Sequence, residues 1–194
     1  MAYTDGIVAT AGREEGTHWG DKPWRILEYF QASTGRPFTR EEALKVSWCT
    51  YFVMWVLINA QVEPLPKVGE PGPKNFSVAR FLRSVDGRTA TNRDGSQRHW
   101  GVYDAHSVAL RRYRPKAGDL YYLPRFKDHV GIVEEVKSGA RVVTLNGNSG
   151  PRPGEGTDPR LLPIIGGGFV YRKTLDLMDG SSAHRDAVWI EVPD

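Results

Sequence analysis

The chain has one cysteine in 194 residues. A single thiol excludes an internal disulfide framework and a multi-cysteine zinc site. Long apolar runs are also lacking, so no membrane insertion is expected. The opening Met1-Ala2-Tyr3-Thr4-Asp5-Gly6 holds neither a basic n-region nor an apolar h-region. No signal peptide is visible there, and synthesis in the cytoplasm is the expectation. A large excess of one charge is lacking as well: 26 Lys and Arg against 23 Asp and Glu leave a net charge of +3. That small excess suits an anionic polymer but singles out no nucleic acid, and no nucleic-acid partner is expected. Internal repeats and low-complexity segments are absent.

What is present is ordinary for a globular domain, with 40% hydrophobic and 25% charged residues. The length suffices for a buried core. One domain over residues 1–194 is expected, in three parts. Residues 1–60 read as helical, 61–114 as an elaboration over the core, and 115–194 as an antiparallel sheet. Helices first and strands afterwards make an α+β fold.

In the front third, Ile7 to Glu15 reads as a short helix ended near Gly16. Asp21 is a cap candidate before Pro23, and Trp24, Leu27 and Phe30 form an apolar face. Thr39-Arg40-Glu41-Glu42 has the form of a capping box. Gln61 to Lys74 reads as loop, Asn75 to Ser84 as a short helix, and Asp86 to Gln97 as polar loop. Within that loop, Asn92 to Ser96 has part of a calcium-loop pattern, but its ligand set is incomplete. Tyr103 to Tyr113 is expected to be helical. Strands are expected at Leu120 to Leu123, His129 to Val136, Arg141 to Leu145, Phe169 to Arg172 and Ala187 to Val192. Asn146 to Gly150 reads as a tight turn.

The lone thiol lies in Ser47-Trp48-Cys49-Thr50-Tyr51-Phe52-Val53. Cys49, Phe52, Val53, Val56 and Ala60 recur at helical spacing, and Ser47 is the N-cap candidate. Cys49 then sits in a first helical turn, where unpaired N–H groups and the helix dipole favour a thiolate. The plain alternative is a buried, inert cysteine.

A two-residue turn at Ser138-Gly139 would set Lys137 opposite Ala140, Gly131 opposite Asn146 and His129 opposite Asn148. His129, Asn146 and Asn148 then share one face, while Val130, Ile132 and Val136 face a core. A longer loop would break that parity. A thiol on a helix start, an imidazole at a strand start and an amide on the next strand are the three parts that cysteine-nucleophile catalysis requires.

The chain resembles the CHAP and NlpC/P60 families of cysteine amidases and peptidases. The resemblance rests on four segments: Trp48-Cys49-x-x-Phe52-Val53, Lys116-Ala117-Gly118-Asp119-Leu120, His129-Val130-Gly131-Ile132-Val133 and Thr144-Leu145-Asn146-Gly147-Asn148. It covers roughly residues 1–150 and implies a papain-like fold. It implies Cys49 as nucleophile, His129 as base and Asn146 as the group that orients the base. Asn148 is the second choice for that last role. The position of Asn146 is often Glu in CHAP proteins, so this chain departs from the commonest form. Trp48 is the candidate substrate-cleft residue. No metal and no organic cofactor is implied. The expected substrate is the peptide stem of peptidoglycan, reached in the periplasm or outside the cell after delivery or lysis. A phage lysis enzyme and an antibacterial effector both suit such a hydrolase, and an effector implies an immunity protein as partner. The rival readings are a Cys-His acyltransferase or deamidase toxin acting on a protein, and a non-catalytic wall-binding module.

Overall fold

The computed structural model describes residues 3–63, 65, 89–91, 97–109, 112–123, 129–137, 141–149, 168–176 and 187–193. The expected helix at 75–84 and the partial calcium pattern at 92–96 lie outside the described residues.

Helix α1 spans Tyr3–Gly12, α2 Pro23–Thr34, α3 Arg40–Ala43 and α4 Cys49–Asn59. α1 begins earlier than its apolar pattern suggests and closes through turns to Gly16. α2 has Pro23 at its start, but Lys22 occupies the cap position and no side chain caps it. Asp21 therefore does not have the expected role. The end of α2 follows simple rules. Gly35 adopts φ 71° and returns its N–H to the Gln31 carbonyl. The buried side of α2 is Ile26, Tyr29, Phe30 and Thr34. Trp24, expected on that side, is instead 53% exposed. The capping box at Thr39 is complete: Thr39 Oγ1 accepts from the Glu42 N–H, and Glu42 accepts from the Thr39 N–H.

α4 is the centre of the molecule. Cys49 to Met54, Val56 and Leu57 are all buried. It has no polar stripe, so the expected single apolar face is replaced by burial on nearly every side. α2 packs against it from one side and β5 and β6 from another. Tyr29 joins the two helices, with ring centroids 5.8 Å from Trp48 and 5.6 Å from Phe52.

β1 (Thr89–Thr91) and β2 (Gln97–His99) form a separate antiparallel pair. Residues 86–97 are thus not loop throughout. β3 (Gly101–Asp104) and α5 (Ala105–Ala109) replace the helix expected over 103–113. The remaining strands are β4 (Leu120–Leu123), β5 (His129–Lys137), β6 (Arg141–Ser149), β7 (Phe169–Asp176) and β8 (Val188–Glu191). A six-stranded sheet has the order β3-β8-β4-β5-β6-β7, and its described pairs are antiparallel. The elaboration therefore supplies an edge strand of the main sheet rather than only covering it.

Val130, Ile132 and Leu145 belong to the core shared with the helices. Tyr121, Val133, Val142 and Trp189 form a second apolar cluster. Val136, expected in the core, is 45% exposed.

Candidate active site

The β5–β6 hairpin sets the frame of the site. Lys137 pairs with Arg141, not with Ala140, so the connection is one residue longer than a two-residue turn. A bulge between Val133 and Glu135 then absorbs one residue. Beyond it Val133 faces Thr144 and Ile132 faces Leu145, which is the frame a two-residue turn would have given. Two departures cancel, and at Ile132 and Val133 the pairing has the register expected from the sequence.

His129 opens β5 and is partly buried. Its Nε2 lies 2.9 Å from Asn146 Oδ1. Asn146 is fully buried within β6, which runs on to Ser149; residues 146–149 of the expected turn are strand instead, and residue 150 lies outside the described residues. The Asn146 amide is fixed in one orientation. Its Nδ2 donates to Thr144 Oγ1 at 2.9 Å, the Thr144 carbonyl at 3.2 Å and the Tyr171 carbonyl at 3.3 Å. Its Oδ1 accepts from the Tyr121 hydroxyl as well as facing His129. An acceptor at Oδ1 requires the proton on His129 Nε2, which leaves Nδ1 as the basic nitrogen.

Cys49 is the first residue of α4, with Trp48 at the cap position. Ser47 is not the cap. Its Oγ lies 3.6 Å from Cys49 Sγ and accepts from Asn148 Nδ2 at 2.8 Å. Burial acts most strongly on Cys49 and pushes its thiol up. The His129 hydrogen bond and charge, the Val130 N–H and the Ser47 hydroxyl together outweigh burial and bring the thiol down to about 7. A large share of Cys49 is therefore thiolate at neutral pH. Buried cysteines with no such partners shift the other way.

Asn148 does not reach His129. Its φ of 57° turns it out of the strand alternation, and the β6–β7 register shifts between Asn146 and Ser149. Its amide goes to Ser47 instead. Trp48 does not line an open cleft, since it is fully buried. The cleft expectation for Trp48 is corrected on that ground.

Two side chains of the site carry no catalytic signal in the sequence. Ser47 reads there as a cap, and Tyr121 only as part of a strand. Tyr121 pairs with Gly131 across β4 and β5. A Cβ on Gly131 would lie 2.6 Å from Asn146 Oδ1 and 2.6 Å from the Tyr121 ring. Glycine at 131 is what allows Tyr121 and Asn146 to meet beneath the imidazole. Gly147 serves a similar purpose. A Cβ there would lie 2.5 Å from Phe52 Cβ, so glycine lets β6 approach α4. The available signals were these two glycines, one opposite Asn146 in the pairing scheme and one beside it in the chain. The β4–β5 register needed to read them is set by a loop whose length the sequence does not fix.

No group of three or more His, Cys, Asp or Glu able to hold a metal ion occurs among the described residues. No helix among them is long and apolar enough to cross a membrane.

Comparison with known protein families finds a match to the CHAP domain over residues 41–148. The matched span includes Cys49, His129, Asn146 and Asn148. No curated protein and no solved structure matches the chain.

Proposed function

The chain belongs to the CHAP domain family, whose members are generally cysteine- and histidine-dependent amidases or peptidases, and from this we propose that it hydrolyses an amide bond in the peptide stem of peptidoglycan with Cys49 as nucleophile. One observation carries the reading: a thiol lowered to about 7 is bonded to an imidazole whose other nitrogen is held by a buried amide. The helix bearing the thiol packs on the sheet bearing the other two groups, which supports a papain-like fold.

The Cys49 thiolate attacks the carbonyl carbon. The backbone N–H of Cys49, in the first turn of α4, donates to the oxyanion that forms. Protonated His129 gives its proton to the leaving amine, and the C–N bond breaks to leave a thioester on Cys49. Neutral His129 then takes a proton from water, and the hydroxide attacks the thioester. The acid product leaves, and the thiolate and the protonated imidazole are restored. Asn146 keeps the imidazole in one orientation throughout.

In its biological setting the protein is an antibacterial effector acting on the wall of a neighbouring cell, with an immunity protein in the producer. The same chemistry would serve a phage lysis enzyme. Incubation with purified sacculi tests the substrate: new amino groups should appear with time. Modification of a protein substrate with sacculi left intact would favour the acyltransferase or deamidase reading instead.

A further inference from the structure

We propose that Tyr121 and the wall of acceptors around Asn146 form a positioning device that takes a neutral, hydrogen-donating side chain and not a carboxylate at position 146; the proposal rests on the catalytic reading of Cys49 and His129 given above.

The placement of hydrogens decides which partners each end of residue 146 can take. Asn146 Nδ2 faces three acceptors: the Thr144 carbonyl, Thr144 Oγ1 and the Tyr171 carbonyl. The Thr144 hydroxyl sends its own hydrogen to the Lys173 carbonyl at 3.2 Å. Thr144 Oγ1, which also bonds the Tyr121 hydroxyl, then accepts from Asn146. Every partner on that side presents lone pairs. On the other side, Oδ1 faces the Tyr121 hydroxyl and His129 Nε2, both of which present hydrogens. The pocket is thus polarised: acceptors toward one end of residue 146 and donors toward the other. An amide is the side chain whose two ends match.

A carboxylate at 146 would satisfy the donor end and fail at the other. Its second oxygen would meet three acceptors in a site with no access to water, since Asn146 is fully buried. Protonation relieves this, because a carboxylic acid can donate where the amide NH2 donates now. Tyr121 completes the device. It is 1% exposed, and burial raises its hydroxyl's pKa, so it remains a donor. It gives Oδ1 a second hydrogen bond, which keeps Oδ1 turned toward His129. Tyr121 touches neither the thiol nor the reacting carbonyl in this scheme, so it is a positioning residue.

Two variants test this, each with a readout independent of any substrate. Asn146→Asp should be close to wild type in Tm near pH 4. Its deficit, measured with His129→Ala in both chains so that no imidazolium faces the new carboxylate, should grow as pH rises toward 7, because the acid binds its proton more tightly in the folded pocket than in the unfolded chain. A deficit that does not change with pH, or that shrinks as pH rises, would overturn the neutral-donor claim. Tyr121→Phe removes one hydrogen bond and keeps the ring. Alkylation of Cys49 by iodoacetamide should slow by about threefold to tenfold at pH 6, the worth of one such bond, and be unchanged at pH 9.5, where the thiol is ionised in either case. Equal rates at pH 6 would overturn the role of Tyr121. Equal slowing at both pH values would also overturn it, because that reports altered access. The wild-type protein failing to cut sacculi would sink the substrate reading but leave both of these measurements informative.

Discussion

Asn148 Nδ2 donates to Ser47 Oγ at 2.8 Å, and Ser47 Oγ in turn lies 3.6 Å from Cys49 Sγ. The amide nitrogen can only donate, which leaves the Ser47 hydrogen free to serve the sulfur once Cys49 is ionised, and this bond lowers the thiol's pKa. Asn148 therefore acts on the thiol through Ser47, not on the base. Ser47→Ala should raise the Cys49 pKa above about 7, and His129→Ala should raise it further. The pH dependence of iodoacetamide alkylation measures both directly, because Cys49 is the sole thiol. A Ser47→Ala profile that overlays the wild type would remove Ser47 from the site.

Gly131→Ala should damage the site more than its size suggests. The new methyl would lie 2.6 Å from Asn146 Oδ1 and from the Tyr121 ring, both of which are buried. Overpacking of this kind costs about 1–3 kcal/mol. We expect a lower Tm and a hydrolysis rate reduced more than that of variants at exposed positions such as Val136. An active, equally stable alanine variant would show that Tyr121 and Asn146 need not meet.

Asp119 gives the protein a pH-dependent stability. It is fully buried, accepting from the Lys116 N–H at 2.7 Å and the Val192 N–H at 3.2 Å, and from the Tyr113 hydroxyl. Burial raises its pKa to about 6, in spite of these donors. An unfolded aspartate titrates at about 3.9. The folded state thus holds the proton more tightly, and the resulting stabilisation is present at low pH. It is lost as pH rises through about 6, a change on the order of 2–3 kcal/mol. Asp119→Asn should be less stable throughout, because an amide NH2 would face an N–H donor. The Tm advantage of wild type over Asp119→Asn should be largest near pH 4 and smaller at pH 7. An advantage that grows with pH would reverse the assignment.

Directed to the periplasm of a Gram-negative host by an added export signal, the protein should lyse the cell. Retained in the cytoplasm, it should do little harm, because mature peptidoglycan lies beyond the inner membrane. The periplasm is oxidising, but a chain with one cysteine cannot form an internal disulfide, so export should not silence it. Cys49-dependent killing from the cytoplasm with sacculi intact would point to a protein substrate.

The helical front and the strand-rich rear were legible because their signals are local: the Thr39 capping box, Gly35 after α2, and the apolar runs at 129–136 and 141–145. Residues 103–113 were not, because β3 is fixed by its pairing with β8, whose partner residues lie some ninety positions away. Cys49, His129 and Asn146 were legible as residue types in a telling order. Ser47 reads as an ordinary cap because serine commonly precedes a helix, and only the fold brings Asn148 to it. Tyr121 is silent for the same reason: its meaning comes from Gly131 across the strand. Strand parity places Asn148 beside His129, and its positive φ breaks that parity.

The central claim is that Cys49 performs the hydrolysis, and a paired digestion tests it most directly. Purified sacculi are treated with wild type or with Cys49→Ala at equal folded concentration, and the released muropeptides are resolved by mass spectrometry. Wild type should yield fragments with one newly exposed amine and one new carboxyl at a single type of amide bond. Cys49→Ala, with an unchanged circular dichroism spectrum, should yield none. The same fragments from Cys49→Ala at the wild-type rate would contradict the claim.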